Sequence, residues 1–128
     1  EEPEDWVVAT GKTTTVRDFV RLAFKEVGIE LEFKGNGVNE TASVIKCNNL
    51  DFQLEVGKEV LSIDPEYFRP TEVDLLIGDP TKAKIKLGWV PEHDLASLVK
   101  DMMKSDVKLM KKDQYLKDGG YTTLNYFE

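Results

Sequence analysis

The stretch TVRDFVRLAFKEVGIELEFK, residues 15–34, decides the fold class because its hydrophobic period changes halfway along. In the first half, apolar residues recur three and four positions apart, which is typical of an amphipathic helix packed on a core. Thr15 can cap this helix together with Asp18, and Gly28 can end it in a left-handed conformation. We therefore predict a helix at about residues 15–27.

The second half of the stretch predicts a half-buried strand. Apolar and charged residues alternate strictly over residues 29–34, which directs Ile29, Leu31 and Phe33 toward the core. Upstream of the helix, the run WVVA at residues 6–9 predicts a buried parallel strand. A strand, a helix and a second strand form a right-handed crossover if the strands are parallel neighbours, so the predicted fold class is α/β.

The middle of the chain gives weaker signals. Residues 38–60 contain short apolar pieces between turn signals, which indicates hairpin-like or irregular structure. Residues 59–63 predict another strand, and Asp64-Pro65 should break it. The segment that follows is therefore expected on a strand-to-loop exit.

Two further helices are predicted in the last third of the chain. Asp79 is expected to cap a short helix with Pro80 at its first position, and Gly88 should end it. Asp94 can cap a longer helix, and we expect residues 113–128 to form an irregular tail. The apolar stripe predicted for that longer helix consists of Leu95, Leu98, Val99, Met102, Val107, Leu109 and Met110. The chain should thus combine short strands with about three helices.

The composition excludes several functional classes. The chain has 17 Lys and Arg against 24 Asp and Glu, a net charge of −7, which disfavours nucleic-acid binding. No apolar run approaches the roughly 20 residues that span a bilayer, and the acidic start is unlike a signal peptide. We expect a cytoplasmic protein without a membrane partner. The lysines in two clusters are interpreted as solvated faces: Lys82, Lys84 and Lys86, and Lys108, Lys111 and Lys112.

Three other features invite a functional interpretation that we do not favour. His93 is the only histidine and Cys47 the only cysteine, so a metal site or a catalytic triad would depend on a single residue of its type. We expect His93 to be exposed near a helix start and Cys47 to be a small packing residue. Gly35 and Gly37 predict a turn, because a phosphate-binding loop would need a third glycine opening a helix. No metal site is predicted.

The segment YFRPTEV, residues 67–73, contains the best candidate for ligand binding. The guanidinium of Arg69 offers a rigid fork of donors that can hold two phosphate oxygens, and its charge survives partial burial. Pro70 fixes the local backbone. From spacing alone, an intrachain salt bridge between Arg69 and Glu72 explains the segment better than ligand binding, and that alternative stays open.

Together with GDPTKA (residues 78–83), LGWVP (87–91), WVVATG (6–11) and TVRDF (15–19), this segment resembles the carboxy-terminal, nucleotide-sugar-binding lobe of the GDP-mannose 4,6-dehydratases. These are extended short-chain dehydrogenases/reductases. The resemblance implies that Arg69 contacts the diphosphate of a GDP-sugar and that Glu72 accepts hydrogen bonds from the ribose hydroxyls. It also implies that the segment from Phe33 to Glu40 borders the nucleotide pocket, and that GDP-mannose is the substrate.

The same resemblance implies that NADP is bound by an amino-terminal Rossmann domain. This chain has neither a G-x-G-x-x-G fingerprint nor a Tyr-x-x-x-Lys pair. We therefore expect residues 1–128 to be one carboxy-terminal GDP-sugar-binding lobe of a longer enzyme. This lobe should hold no complete Rossmann domain, no catalytic residues and no cofactor, and it should be inactive alone. The parent enzyme is expected to be a homo-oligomer.

Two alternatives remain on sequence grounds. The chain could be the matching lobe of a related nucleotide-sugar epimerase, dehydratase or reductase, which would share Arg69 but not the hexose chemistry. It could also be a non-catalytic binding module.

Overall fold

A computed structural model describes residues 3–69, 71 and 76–123 of the chain. Within these ranges it contains three α-helices and a three-stranded sheet. The helices are α1 (Val16–Glu26), α2 (Thr81–Leu87) and α3 (Leu95–Asp118), and the strands are β1 (Ile29–Lys34), β2 (Thr41–Cys47) and β3 (Glu59–Ser62). The predicted α/β class, with short strands and about three helices, is confirmed.

Helix α1 begins and ends where its local signals predicted. The Thr15 hydroxyl oxygen accepts a hydrogen bond from the Asp18 amide at 3.0 Å, which satisfies one of the amides left unpaired at a helix start. At the other end, Gly28 has a φ of +74°, a conformation that glycine adopts without steric cost. The Gly28 amide donates to the Lys25 carbonyl at 2.9 Å and closes the last turn.

The predicted crossover from residues 6–9 through α1 to β1 is wrong, because residues 6–9 form no strand. The sheet is instead antiparallel, in the order β1-β2-β3. Residues 35–40 are short enough to return the chain directly beside β1, and a crossover would need a dozen or more residues. The alternation predicted for β1 is confirmed, because Ile29 is buried, Leu31 and Phe33 are half-buried, and their charged neighbours are exposed.

Residues 6–9 do not form the predicted buried strand. Val7 and Val8 are 50% and 64% exposed. Within residues 6–9, Val7 and Ala9 lie against Gly78: a Cβ built on Gly78 would lie 2.6 Å from the Cβ of Ala9, so only glycine permits this approach. A parallel strand needs a neighbouring strand for its backbone groups, and the described part of the chain supplies none here.

The amino-terminal segment is held to α2 by charge. The Lys82 and Lys86 ammonium nitrogens lie 4.7 and 5.9 Å from the ring centroid of Trp6, and both lie 2.9 Å from the Glu4 carboxylate. The hydrogen bonds from Lys82 and Lys86 lower the pKa of Glu4. These two lysines are therefore more than a solvated face, contrary to the prediction, because they lie within reach of a carboxylate and an aromatic ring.

Helix α2 begins at Thr81, with Pro80 at the cap position, one residue later than predicted. Asp79 still serves this end, because its carboxylate accepts a hydrogen bond from the Thr81 amide at 2.9 Å. The predicted end is confirmed by Gly88, which has a φ of +65°. No helix in the described ranges combines the length and the apolar character needed to cross a membrane.

Helix α3 is capped by Asp94, whose carboxylate accepts from the Ser97 amide at 2.8 Å, as predicted. The helix continues to Asp118, so the prediction of irregular structure from residue 113 is wrong as far as residue 118. Good helix formers fill this last turn, and Gly119-Gly120 then ends it. Residues 124–128 lie outside the described residues.

The core is small and lies where α1 packs against both β1 and α3. Among the described residues, the buried apolar side chains are Ile29, Ala42, Val44, Ala83 and Val99. The stripe predicted for α3 is only partly confirmed, since Val99 is buried but Leu98 and Met102 are 46% and 42% exposed. A stripe deduced from periodicity shows which face is apolar, but the partner that covers it is set by tertiary packing.

Candidate substrate-binding site

Arg69 lies on the loop that leaves β3, as predicted. The loop opens with a turn in which the Tyr67 amide donates to the Asp64 carbonyl at 3.1 Å. The Arg69 side chain is exposed. Pro70 and Glu72 lie outside the described residues, so their predicted roles, and any arrangement of Glu72 with Arg69, stay predictions.

The loop between β1 and β2 lies against the Arg69 loop. The closest ring atom of Phe68, Cζ, would be 3.4 Å from a Cβ built on Gly37. Gly37 has a φ of +56° and opens the 3₁₀ turn Gly37–Asn39. The structure thus brings the predicted pocket border and the predicted diphosphate-binding segment together, through a contact between an aromatic ring and a glycine.

Gly35 fixes the shape of this same loop. Its φ is +83°, and a Cβ built there would lie 2.9 Å from the Asn39 carbonyl carbon and closer still to the carbonyl oxygen. No other residue could take this position without moving the backbone of Asn39. The predicted turn at Gly35 and Gly37 is confirmed as a turn, and Gly37 places the Phe68 ring.

An ion pair joins the end of the β1–β2 loop to α1. The Arg17 Nε donates to the Glu40 carboxylate at 2.6 Å, and the Glu40 side chain is only 16% exposed. The hydrogen bond from Arg17 lowers the pKa of Glu40 below its ordinary value of 4.5, and the same bond raises the pKa of Arg17. The pair stays charged near neutral pH and holds the loop to the helix.

Two guanidinium groups cover the ring of Phe33 beside this pair. The guanidinium carbons of Arg21 and Arg17 lie 4.8 and 5.8 Å from the ring centroid. Arg21 also pairs with Asp18 at 3.2 Å, so the positive charge of both arginines is balanced by carboxylates of the chain. We therefore assign this cluster a positioning role for the loop, because both arginines are engaged by carboxylates and by the Phe33 ring. A groove of about 280 Å³ beside it is lined by Thr15, Val16, Arg17, Val20, Phe33, Glu40, Leu61 and Ile63.

The larger concavities lie elsewhere. One of about 750 Å³ lies between residues 10–14 and the start of α3, and His93 and Asp94 line it. Asp94 caps α3, and the hydrogen bonds from Ser97 lower its pKa, so its carboxylate is not a candidate general base. In the described ranges, no cluster of three or more His, Cys, Asp or Glu side chains could hold a metal ion. Cys47 is half-buried and its Sγ lies 3.4 Å from the Phe52 carbonyl oxygen, as a packing residue would.

Sequence reasoning found Arg69 and the glycine loop but missed what connects them to the fold. Arg17 and Arg21 are spaced four apart on α1, which places both on one face of the helix. That spacing was a usable signal for a contact with the strand that follows. The contact between Gly37 and Phe68 has no local signal, because the two residues are far apart in the chain.

The comparisons with known proteins agree with the resemblance. A family model described as GDP-mannose 4,6 dehydratase matches residues 1–102. This match covers most of the chain and includes the whole of the Arg69 segment. The chain therefore belongs to the GDP-mannose 4,6-dehydratase family, and the predicted family is confirmed.

Individual relatives match over nearly the whole chain. GDP-mannose 4,6-dehydratase of Yersinia enterocolitica is 45% identical over 122 residues, which covers 94% of this chain and 33% of the relative. The corresponding proteins of Drosophila melanogaster and Homo sapiens are 45% and 42% identical, over 88% and 87% of this chain. The chain covers 26% of the former and 27% of the latter, so it spans a third or less of the length of these curated relatives.

Proposed function

We propose that residues 1–128 form the GDP-sugar-binding lobe of a GDP-mannose 4,6-dehydratase. The observation that carries this proposal is the family match over residues 1–102, because it includes the Arg69 segment and the elements that surround it. Arg69 is exposed on a loop that lies against a glycine-rich turn, which leaves its guanidinium within reach of a ligand. In this proposal Arg69 holds the diphosphate of GDP-mannose and Glu72 accepts hydrogen bonds from the ribose hydroxyls.

A chain of contacts supports Arg69 as a ligand-binding residue. Arg17 holds Glu40, Glu40 ends the loop that begins at Gly35, and Gly37 of that loop contacts the ring of Phe68 next to Arg69. Binding residues need a fixed position, because a side chain that must be ordered on binding loses conformational entropy and affinity. The loop that carries Arg69 therefore takes its position from α1 through β1 and the glycine turn.

The chemistry of the reaction is assigned to the remainder of the enzyme. In the proposed reaction, C4 of the mannosyl unit is oxidised, water is eliminated across C5 and C6, and C6 is then reduced; NADP, when bound in the remainder of the enzyme, would accept the hydride from C4 and return it to C6. The product is GDP-4-keto-6-deoxymannose, with no net change of the cofactor. The chain has neither the glycine fingerprint for NADP nor the Tyr-x-x-x-Lys pair. We therefore propose that this lobe alone positions substrate but neither holds NADP nor turns it over.

The test is the substitution Arg69→Ala in the longer protein proposed to carry this lobe. We expect the affinity for GDP-mannose, measured by calorimetry, to fall by about 1.5–3 kcal/mol, roughly tenfold or more, because a charge-assisted contact to the diphosphate is lost. Arg69→Lys should recover only part of the loss, since lysine keeps the charge but not the two-pronged geometry.

The matched control is Lys84→Ala, which removes an exposed cation of α2. It should leave the affinity unchanged. An Arg69→Ala protein with undiminished affinity would remove the diphosphate assignment. The activity itself is tested separately, by incubating the longer protein with GDP-mannose and NADP: a 4-keto sugar supports the dehydratase, and an epimerised GDP-sugar would identify a related enzyme instead.

A further inference from the structure

The face formed by α3 and the end of α1 carries a groove with a positively charged rim, whereas the whole chain has a net charge of −7. Its volume is about 450 Å³. Its floor is apolar, formed by Val27 at the end of α1 and by Met103 and Val107 of α3, which are half-buried. Its rim on α3 is formed by Lys100, Lys104 and Lys108. We call these six residues the basic groove.

The lysines of the basic groove are not used by the fold. Among the described residues some lysines are paired with carboxylates and others, such as Lys84, are not; Lys111, at the end of the groove, lies 2.6 Å from the Asp51 carboxylate. Within the part of the chain that the structure describes, Lys100, Lys104 and Lys108 have no ion pair. A row of unpaired cations beside an apolar floor is unexpected on a chain with a net charge of −7.

We propose that the basic groove binds an acidic amphipathic helix of a partner protein. Its lysines lie at intervals of four residues, so they form a row of roughly 12 Å on one face of α3, at about 1.5 Å per residue. A helix with carboxylates one turn apart matches this row, and an apolar stripe beside the carboxylates would cover the floor. This inference does not depend on the proposed enzymatic function.

Other occupants fit the groove less well. An anionic membrane favours a protruding apolar face, whereas this face is concave. The described residues of a second copy of this chain offer no acidic amphipathic helix, because α1 carries two arginines and a lysine and α3 carries the groove lysines themselves. The acidic residue Glu4 is already bound to α2.

The proposal is tested on the 128-residue chain with a fluorescein-labelled helical peptide of about 15 residues, the length at which a helix becomes stable enough in water. Glutamates are placed one turn apart along one edge, with leucines along the adjacent stripe. A peptide of the same composition in scrambled order is the reference. We expect the ordered peptide to bind at least about tenfold more tightly in fluorescence anisotropy, which is about 1.4 kcal/mol. Its affinity should fall as salt is added.

The decisive variant is Lys100→Gln with Lys104→Gln and Lys108→Gln. These lysines are exposed, so the variant should fold, and a thermal melt checks that it does. It should lose about tenfold in affinity for the ordered peptide. The matched control removes three exposed charges that do not line the groove, by Lys58→Gln, Lys84→Gln and Lys117→Gln, and should retain the affinity.

Three outcomes would overturn the proposal. The first is equal binding of the ordered and scrambled peptides, and the second is equal loss of affinity in the groove variant and in the matched control, which would mean a general effect of charge. The third is tight binding to phosphatidylserine vesicles without a preference between the peptides, which would assign the groove to a membrane surface.

Discussion

Gly35→Ala should be among the most damaging single substitutions in the loop that borders the candidate site. Gly35 has a φ of +83°, and a left-handed backbone costs a residue with a Cβ about 1–2 kcal/mol. The new Cβ would also press on the Asn39 carbonyl group, at 2.9 Å from its carbon. Forcing extra atoms into a packed position typically costs about 1–3 kcal/mol more, so we expect a total loss of about 2–5 kcal/mol.

Gly57→Ala separates the two contributions. Gly57 has a similar φ of +89°, but a Cβ built there meets nothing within 4 Å. It should therefore cost only the backbone part, about 1–2 kcal/mol. Both substitutions reduce the entropy of the unfolded chain in the same way, so this effect cancels in the comparison.

Urea unfolding followed by circular dichroism measures the difference. At a typical slope of about 2 kcal/mol per M, a difference of about 1–3 kcal/mol places the midpoint of Gly35→Ala roughly 0.5–1.5 M below that of Gly57→Ala. If Gly35→Ala is unfolded without urea while Gly57→Ala keeps its folded signal, the same conclusion holds. Coincident midpoints would refute the reasoning, because they would show that the Asn39 carbonyl can move without a loss of stability and that the loop is not rigid.

Two further predictions concern the core and the loop anchor. Val44→Ala should lower the free energy of unfolding by about 2–3 kcal/mol, because Val44 is fully buried and the substitution would leave a cavity. The control Val56→Ala, at a 71% exposed position, should change the free energy of unfolding by less than about 0.5 kcal/mol. Equal losses for the two variants in urea unfolding would contradict this prediction. Glu40 has a lowered pKa, so its contribution to stability is present above pH 4.5 and is lost as the pH falls through its folded-state pKa. The melting temperature of Glu40→Gln should therefore lie below that of the wild type at pH 7. It should approach the wild-type value as the pH falls through the folded-state pKa of Glu40, below 4.5, and a gap that does not change with pH would exclude the ion pair with Arg17 as its cause.

The elements that were predicted well are those whose ends are set within a few residues. Thr15 and Asp94 each cap a helix through an amide three positions on, and Gly88 ends α2 with a positive φ. The alternation in β1 shows directly which residues face inward. These signals are local hydrogen bonds and periodicities, so they can be recognised in the sequence without knowing which elements pack against one another.

The predictions that were wrong depended on a distant partner. Residues 6–9 have the composition of a buried parallel strand, but a strand forms only where another strand accepts its backbone bonds, and here they lie beside Gly78 without forming one. The stripe on α3 was identified, yet Leu98 and Met102 are exposed because α1 covers only part of that helix. The end of α3 was placed too early because the aromatic residues beyond it were read as a tail.

For the candidate site, the sequence supplied the residue and the structure supplied its surroundings. Arg69 was identifiable from a seven-residue segment, since a guanidinium followed by proline is a local pattern. The ion pair of Arg17 with Glu40 and the contact of Phe68 with Gly37 join positions many residues apart. Sequence periodicity does not predict such pairs, because they form only when the sheet and α1 have packed together.

The amino-acid order by itself determined both ends of α1, the start of α3, the inward face of β1, the family and the candidate phosphate-binding arginine, because each depends on neighbouring residues or on a short motif. Only the tertiary structure decided that the sheet is antiparallel, that the glycine turn lies on the Arg69 loop, and that Lys100, Lys104 and Lys108 border an apolar floor completed by Val27. The physical reason is that these features depend on which surfaces meet when apolar area is buried, and that choice is made by the whole chain at once.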